Sequence, residues 1–308
     1  MKILITGVSS FTGYHLAKKL NEKHTIYGLI SKNKYKYKFN RRLRILDLNK
    51  KINLIQCNLY QKKKFKNILV KLKPKIIYVN HAYTSKNPNK FDIYRSLEIN
   101  NLCLEEIYEY SLKYNCRVFH TGTNQEYGSE NKYINEETFK NPNTAYGLSK
   151  KIQSDLVRFY AEKFKVKSVS FKLFNLYGQL DEEHKIIQNV TESLEKNIKV
   201  KLNTNGSQIL DFLNVVEFTS IVNKYIKFKQ INYFEEFIIS SNEKISLKEF
   251  IYKVVDLLQL KKKYIKFSNK TNNKRIINIG DNMKIKKFLK IDIKSSQMLN
   301  KFINEFKD

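Results

Sequence analysis

The chain contains no tryptophan, only three prolines and nine glycines among its 308 residues, and three cysteines. The cysteines, Cys57, Cys103 and Cys116, are odd in number, and their spacing is not that of metal ligands. We therefore predict buried free thiols in a reducing compartment, and no metal site. No apolar run approaches the ~18 residues of a membrane span. Residues 1–7 lead directly into a strand, without the pattern of a signal peptide. We therefore expect a cytoplasmic protein with no membrane contact.

Acidic residues are also scarce: 29 stand against 58 lysines and arginines, which gives a formal net charge of +29. Such a charge favours nucleic acid or another polyanion as partner. However, the lysines are spread along the whole chain, and Lys, Asn and Ile are all abundant, which indicates biased coding rather than a binding stripe. The densest basic run, residues 32–44, is interpreted as a solvated loop, with an RNA-binding strip as the alternative. Nucleic acid is not the expected partner.

The chain does contain short apolar runs that alternate with helical periodicity. Strands are predicted over 2–6, 24–30, 52–57, 75–80, 116–121 and 167–174, and helices over 14–21, 64–72, 96–114 and 146–164. This alternation predicts an α/β fold, a Rossmann-type doubly wound parallel sheet with right-handed crossovers. Beyond about residue 175 the pattern loosens into helices over 185–197, 216–228 and 247–258, with short strands over 198–202 and 237–240. We expect a main domain over 1–175 and a smaller C-terminal region over 176–308, with interleaving segments permitted.

A glycine-bearing turn, Gly7 to Gly13, links the first strand to the first helix. Gly7 permits the tight turn, and Gly13 lets the helix approach the sheet closely. Backbone N–H groups and the helix N-terminus then face a pyrophosphate, so domain 1–175 is predicted to bind a dinucleotide. Ser10 occupies the middle position, where glycine is usual, and its Cβ is expected to shift the phosphate slightly.

The second strand ends at Ser31 and Lys32, without the Asp or Glu that would hold a ribose 2′-hydroxyl. Lys32, with Arg41 and Arg42 nearby in sequence, is a candidate partner for a 2′-phosphate. The sequence therefore favours NADP(H) over NAD(H). In the NAD(H) alternative, Lys32 is an ordinary surface lysine.

The pattern Tyr-x-x-x-Lys occurs four times, starting at Tyr14, Tyr60, Tyr146 and Tyr225. Only Tyr146 and Lys150 follow a Thr-rich strand end, and at spacing i, i+4 they share a helix face. A phenol with a pKa of about 10 is a poor acid-base group at neutral pH. A nearby ammonium and an oxidised nicotinamide would favour the phenolate. Thr123 is expected to hold the substrate oxygen, while the cofactor supplies hydride and the protein supplies the proton.

Together these motifs resemble the extended short-chain dehydrogenase/reductase family, whose members are NAD(P)-dependent nucleotide-sugar epimerases, dehydratases and reductases. The resemblance covers nearly the whole chain and includes Thr123-x-x-x-Tyr127-Gly128, Tyr146-Gly147-x-Ser149-Lys150, Phe174-Asn175-x-Tyr177-Gly178 and the stretch 206–215. It implies that Thr123, Tyr146 and Lys150 are catalytic. It implies cofactor contacts at Gly7, Ser10, Phe11, Gly13, Ser31, Lys32, Asn58, Leu59, Asn80, His81, Ala82, Asn100 and Phe174. It implies substrate contacts at Thr84, Gln125, Asn175 and Lys185, and a homodimer in which the helices over 96–114 and 146–164 pair across a two-fold axis.

Three reactions share this scaffold, and departures from the family pattern bear on the choice. The dehydratases carry an acid and a base directly after the catalytic Ser or Thr, where this chain has Asn124 and Gln125, amides that exchange no protons at neutral pH. Leu210 replaces a diphosphate-binding arginine, and the stretch from Tyr177 to Lys185 resembles the CDP-paratose/CDP-abequose synthase branch, which reduces 4-keto sugars.

We therefore expect a reductase of an NDP-4-keto-deoxyhexose, with Tyr146 as proton donor. A nucleotide-sugar 4-epimerase is the alternative, and a 4,6-dehydratase is less favoured. The alternative from a different class is a non-catalytic protein that binds a dinucleotide or a polyanion.

Overall fold

The computed structural model describes residues 1–84, 90–128, 133–269, 276–293 and 299. The strands are β1 Lys2–Ile5, β2 Thr25–Ile30, β3 Asn53–Gln56, β4 Ile76–Val79, β5 Arg117–Thr123, β6 Tyr133–Ile134, β7 Ser168–Leu173, β8 Asn175–Tyr177, β9 Val200–Leu202, β10 Ile209–Leu210, β11 Phe212–Asn214, β12 Phe234–Ile239, β13 Ile245–Ser246, β14 Ile265–Phe267 and β15 Ile277–Gly280. The helices are α1 Phe11–Asn21, α2 Phe39–Leu48, α3 Lys62–Leu72, α4 Ile93–Asn101, α5 Leu104–Tyr114, α6 Ala145–Lys163, α7 Ile186–Glu195, α8 Val215–Tyr225, α9 Leu247–Leu257 and α10 Met283–Leu289.

The chain divides into two compact units. Unit 1 comprises Met1–Gly128, Phe139–Leu173 and Thr219–Phe237. Unit 2 comprises Ser129–Thr138, Phe174–Phe218 and Ile238–Asp308. The chain thus leaves unit 1 after Leu173, near the expected boundary at 175, and each unit receives a segment from the other side of that boundary.

Unit 1 is built on a seven-stranded sheet in the order β12-β7-β5-β4-β1-β2-β3. Strand β1 pairs in parallel with β2 and with β4, and the sheet continues in parallel from β2 to β3, from β4 to β5 and from β5 to β7. The residues of β4 and β7 are buried throughout, as strands covered by helices on both faces should be. The expected doubly wound α/β fold is confirmed. Strand β12, predicted as part of the smaller region, instead forms one edge of this sheet.

Two further segments of unit 1 differ from the prediction. The helix expected over 96–114 is two helices, because Leu102 leaves the helical conformation with a ψ of 131° and Cys103 has a left-handed φ of 61°. The Cys103 thiol donates to the Leu59 carbonyl at 3.1 Å, and α4 and α5 then bury different faces. The loop expected over 32–44 contains the start of α2, whose buried side chains Asn40, Arg44, Ile45 and Leu48 recur at helical spacing.

Unit 2 contains a four-stranded sheet in the order β13-β10-β15-β6 and two two-stranded sheets. Its apolar core packs α7 and α9 against strands β9 and β11. Asp211, fully buried between β10 and β11, accepts hydrogen bonds from the backbone of Ser241, Asn242 and Gly280. This carboxylate therefore ties the segment after β12 and the end of β15 to the centre of the unit. Among the described residues, no helix is long and apolar enough to cross a membrane.

Candidate active site

The turn between β1 and α1 depends on glycine at two positions. Gly7 has a φ of +63°, and a Cβ there would lie 2.8 Å from the His81 Cα atom. A Cβ on Gly13 would lie 2.5 Å from the Gly7 carbonyl oxygen. Phe11 opens α1 and is buried edge-on against His15, with ring centroids 5.0 Å apart. Only glycine fits at both positions, so the backbone of the turn stays close to the sheet at the N-terminus of α1.

Ser10 is the N-cap of α1, which explains why serine is tolerated at the middle position of the turn. Its hydroxyl accepts from the Gly13 N–H at 3.1 Å and from the Asn80 side-chain amide at 2.9 Å. The side-chain oxygen Oδ1 of Asn80 in turn accepts from the Thr12 hydroxyl at 3.0 Å and from the Thr121 hydroxyl at 2.9 Å. The Ser10 side chain thus joins the turn to the ends of β4 and β5, an internal role that its position in the motif did not reveal.

A buried arginine supports the same turn. Arg44, on α2, is fully buried, and its Nε donates to the Ser9 carbonyl at 3.0 Å. Sequence analysis missed it because it lies in a dense basic run; its spacing of four from both Asn40 and Leu48 was the available signal. Ser31 and Lys32 are exposed, and the Lys32 ammonium lies 4.8 Å from the centre of the Tyr37 ring.

The segment after β4 is held by hydrogen bonds to Thr6 and to Asn100. The Thr6 hydroxyl accepts from the Asn80 N–H at 3.0 Å and lies 2.9 Å from Nδ1 of His81. Burial, together with the charge of Lys150, lowers the pKa of His81 to about 4, so this imidazole is neutral. Asn100 was expected to contact the cofactor, but its side chain is fully buried, accepts from the Tyr83 N–H at 2.7 Å and donates to two serines. Asn100 therefore shapes the loop that contains Ala82 and Thr84.

Thr123 lies at the carboxyl end of β5 and caps a short 3₁₀ turn, Asn124–Tyr127. Its hydroxyl lies within hydrogen-bonding distance of Asn124 Oδ1, at 3.2 Å, and accepts from the Gln125 N–H at 3.4 Å. Its own N–H donates to Glu126 Oε1 at 3.0 Å, which completes a capping box. Strand end and cap together fix the position of the Thr123 side chain.

Tyr146 lies in the first turn of α6, next to the 3₁₀ turn. Thr144 caps α6 by accepting from the Gly147 N–H at 2.9 Å, and its hydroxyl donates to the Gln125 side chain at 3.2 Å. A Cβ on Gly147 would collide with the Gln125 carbonyl, so glycine permits the close approach of the two segments. Burial raises the pKa of Tyr146 to about 12, and the Glu126 carboxylate acts in the same direction. The phenol is therefore protonated at neutral pH.

Lys150 is almost fully buried one turn further along α6. Its ammonium donates to Oε1 of Gln153 and lies 3.5 Å from Nε2 of His120. Burial lowers the pKa of Lys150 to about 7, while the Glu126 carboxylate opposes that shift. The hydrogen-bond acceptor of Lys150 is thus Gln153, with the His120 ring beside it, and sequence analysis singled out neither residue.

A buried charge cluster lies behind Thr123. Lys172 on β7 contacts Glu126 at 2.6 Å, the Ser154 hydroxyl at 2.7 Å and Glu236 on β12 at 3.2 Å. Lys140 contacts Glu236 at 2.8 Å and completes the cluster. A Cβ on Gly122 would lie 2.5 Å from the Lys172 side chain, so the cluster also requires glycine at that position. Sequence analysis did not identify this cluster, because its members come from segments that are far apart in the sequence.

The remaining predicted residues are dispersed. In unit 1, Asn58 is exposed and accepts from the Tyr60 N–H at 3.1 Å, Leu59 is partly buried, and Gln125 and Thr84 are exposed. In unit 2, Phe174 is buried and Asn175 donates to the Asp211 carbonyl at 3.0 Å. Lys185 is exposed immediately before α7. No cluster of histidine, cysteine and carboxylate side chains suited to a metal ion occurs among the residues that the structure describes.

Comparison with known proteins places this geometry in context. Residues 3–232 match the model of the NAD dependent epimerase/dehydratase family. The chain is 27% identical over 237 residues to the dTDP-D-glucose 4,6-dehydratase of Dictyostelium discoideum, which covers 71% of this chain and 54% of that protein. It is 27% identical over 110 residues to the CDP-abequose synthase of Salmonella typhimurium, covering 34% of this chain and 36% of that protein. The chain thus spans about half or less of the length of these two relatives.

A solved structure of UDP-glucuronic acid 4-epimerase from Bacillus cereus, in complex with UDP-glucuronic acid and NAD, superimposes with a TM-score of 0.82. The match covers 100% of this chain and 99% of the epimerase, at 18% identity. At that identity the likeness concerns the fold.

Proposed function

Since the chain belongs to the NAD dependent epimerase/dehydratase family and is an enzyme of the extended short-chain dehydrogenase/reductase type, we propose that it reduces the C4 keto group of an NDP-4-keto-deoxyhexose. In this proposal Tyr146 donates a proton to the keto oxygen as hydride reaches C4. Thr123 orients that oxygen, and Lys150 supports the charge that develops on Tyr146.

The observation that carries this proposal is that the one acidic side chain named near Thr123, Glu126, is already bound to other groups. Dehydration requires an acid and a base close to the sugar, but Asn124 and Gln125 are amides that exchange no protons at neutral pH. Glu126 follows them, and its two oxygens bind the Thr123 N–H, the Ser154 hydroxyl and the Lys172 ammonium. The proton chemistry therefore falls to Tyr146, which suffices for ketone reduction but not for dehydration.

The raised pKa of Tyr146 is consistent with a role as proton donor. An epimerase begins by oxidising the sugar, which requires a phenolate that removes a proton. A reductase begins with a protonated phenol, the state favoured by a pKa raised to about 12. The reduced cofactor carries no positive charge on its nicotinamide, so its binding leaves that preference in place.

The turn at Gly7 and Gly13 fits a dinucleotide, because any side chain at either glycine would collide with backbone. The bound nicotinamide supplies the hydride. We assign the pyrophosphate to the N-terminus of α1 and the adenosine side to Ser31, Lys32, Asn58 and Leu59. NADP(H) is the preferred cofactor, since Lys32 stands at the end of β2 and no carboxylate follows that strand within the next ten residues.

We assign substrate contacts to Thr84, Gln125, Asn175 and Lys185, and Phe174 to the nicotinamide. The likeness to CDP-abequose synthase over 110 residues supports a sugar nucleotide as the substrate class. We also propose a homodimer formed through α4 and α6. The exposed apolar side chains of α6, Leu148 and Phe159, are consistent with such pairing.

The test is nicotinamide absorbance at 340 nm, a wavelength at which only the reduced cofactor absorbs strongly. The purified protein is mixed with NADPH or NADH and with CDP-, GDP-, dTDP- or UDP-4-keto-6-deoxy sugars. We expect stoichiometric NADPH oxidation with one of these substrates. Interconversion of a sugar nucleotide without net oxidation would instead assign the 4-epimerase activity. Neither turnover nor cofactor binding would favour the non-catalytic protein.

A further inference from the structure

Gln153 is a fully buried glutamine on α6, one turn after Lys150. Its side-chain amide nitrogen donates to the main-chain carbonyl of Asn100 on α4. Its carbonyl oxygen, Oε1, contacts both the Lys150 ammonium and Nε2 of His120, the latter at 3.1 Å. One neutral side chain thus connects α4, β5 and the lysine of the proposed catalytic set.

The direction of each hydrogen bond follows from the chemistry of the partners. The Asn100 carbonyl only accepts, so the Gln153 NH₂ group faces it and Oε1 faces Lys150 and His120. Because Oε1 only accepts, His120 carries its proton on Nε2. Nδ1 of His120 then accepts from the Ser170 hydroxyl, 2.9 Å away. Burial, followed by the charges of Lys150 and Lys172, lowers the pKa of His120 well below its usual range, which agrees with a neutral ring.

We propose that Gln153 is a positioning residue, which holds the Lys150 ammonium in place and thereby sets the pH range in which the proton transfer from Tyr146 operates. This inference rests on the proposed function of Lys150 and Tyr146. Gln153 supplies a strong neutral acceptor to a buried ammonium, whereas the neutral Nε2–H of His120 cannot accept from it.

The charged and titratable groups around Lys150 come from four further segments. Glu126 in the 3₁₀ turn favours the ammonium, and Lys172 on β7 disfavours it. His81, after β4, and His120, on β5, are both held neutral by burial. Glu126 is itself bound to Lys172, so its attraction for Lys150 is largely compensated. The hydrogen bond from Lys150 to Gln153 is consequently the local contact that favours the charged state.

Two substitutions move Lys150 in opposite directions. Gln153→Met removes the acceptor while keeping a similar volume, so the ammonium is less favoured. Gln153→Glu places a carboxylate beside Lys150, so the ammonium is more favoured. The matched control is Gln230→Met, since Gln230 is also buried and donates to a main-chain carbonyl, that of Ser168, at 2.6 Å.

The first experiment records kcat/KM against pH for the four proteins with the 4-keto sugar nucleotide that the wild type reduces. We expect the apparent pKa of the alkaline limb to be lower by about one unit in Gln153→Met and higher by about one unit in Gln153→Glu. Each shift corresponds to about a tenfold change in the proton affinity of the lysine. The control should retain the wild-type profile. Lower rates with an unmoved alkaline limb in both variants would overturn the proposal and leave Gln153 a purely structural residue.

The second experiment needs no turnover. Urea unfolding at pH 6 and pH 9 is measured for wild type, Lys150→Met, Gln153→Met and the double variant. We expect the two substitutions to be non-additive at pH 6, where the ammonium is present, and closer to additive at pH 9. If the protein reduced no sugar nucleotide in the first experiment but the two substitutions were non-additive in the second, the proposed function would be refuted. The link between Gln153 and Lys150 would be retained. Additivity at both pH values would refute that link.

Discussion

Lys172 Nζ lies 2.6 Å from Glu126 Oε2, with both side chains fully buried. Glu126 also accepts from the backbone N–H of Thr123 at 3.0 Å. The ion pair therefore holds the residue proposed to bind the substrate oxygen and, at the same time, removes the nearest carboxylate from chemistry. In the proposed function, the same contact therefore bears on both fold stability and the choice of reaction.

Lys172→Met should destabilise the protein by about 3–5 kcal/mol, because it leaves Glu126 buried without its counter-charge. Urea unfolding at pH 7 measures the effect. Lys151→Met is the control, since Lys151 forms a partly exposed pair with Asp155 and should change stability by less than about 1 kcal/mol. Equal effects of the two substitutions would show that the buried cluster contributes no more than a surface pair.

Glu236 should make the stability of unit 1 sensitive to acid. Burial alone would raise the pKa of Glu236, but the ammonium groups of Lys172 and Lys140 lower it below its ordinary value of 4.5. A carboxylate with a lowered pKa stabilises the folded state above its ordinary pKa, and this stabilisation is lost as pH falls through the lower, folded-state value.

We therefore expect the stability difference between wild type and Glu236→Gln to shrink as pH is lowered from 6 towards 3.5, in urea unfolding at several pH values. Glu162→Gln, at an exposed pair with Arg158, should show little difference at any of these pH values. A difference for Glu236→Gln that is constant with pH would mean that this carboxylate has an ordinary pKa in the folded protein.

Tyr146→Phe should lower kcat by a factor of about 10² to 10⁴, the usual contribution of a positioned acid. Cofactor affinity and the unfolding midpoint should stay close to those of the wild type, because the hydroxyl makes no hydrogen bond within the described residues. Tyr60→Phe is the matched control, since Tyr60 also begins a Tyr-x-x-x-Lys pattern but is exposed on the path from β3 to α3. Full activity of Tyr146→Phe would assign the proton to another group.

The sequence predicted those parts of the fold that depend on local pattern, and its candidate site residues stay predictions. Apolar runs and the turn at Gly7 and Gly13 predicted the parallel sheet, because each of these signals lies within a few consecutive residues. The split at Cys103 was missed because a single left-handed residue interrupts an otherwise helical pattern. The helix containing Arg44 was missed because basic residues obscured its narrow apolar face.

Contacts between distant segments were beyond the reach of sequence reasoning for a different reason. Gln153 and Asn100 are 53 positions apart, and Lys172 and Glu126 are 46 positions apart. Neither pair has a spacing that marks it, since it is the order of strands and the packing of α4 on α6 that bring the partners together. The identity of a polar residue is therefore informative only once its neighbours are known.

Lys32→Ala should weaken the binding of NADPH about tenfold and leave that of NADH nearly unchanged. The physical reason is the charge-assisted hydrogen bond that an ammonium makes to a 2′-phosphate, which NADH lacks. The Lys32 ammonium now lies over the Tyr37 ring, where the cation–π attraction at an exposed site is worth about 0.5–1 kcal/mol, so its transfer to a phosphate is favourable. Titration of nicotinamide fluorescence gives both dissociation constants.

Lys50→Ala serves as the control. Lys50 is exposed just after α2, and its substitution changes the net charge by the same amount as Lys32→Ala. It should weaken both cofactors little and equally. If Lys32→Ala also weakened NADPH and NADH equally, the lysine would act only through the general positive charge of the chain, and the preference for NADP(H) would lose its basis.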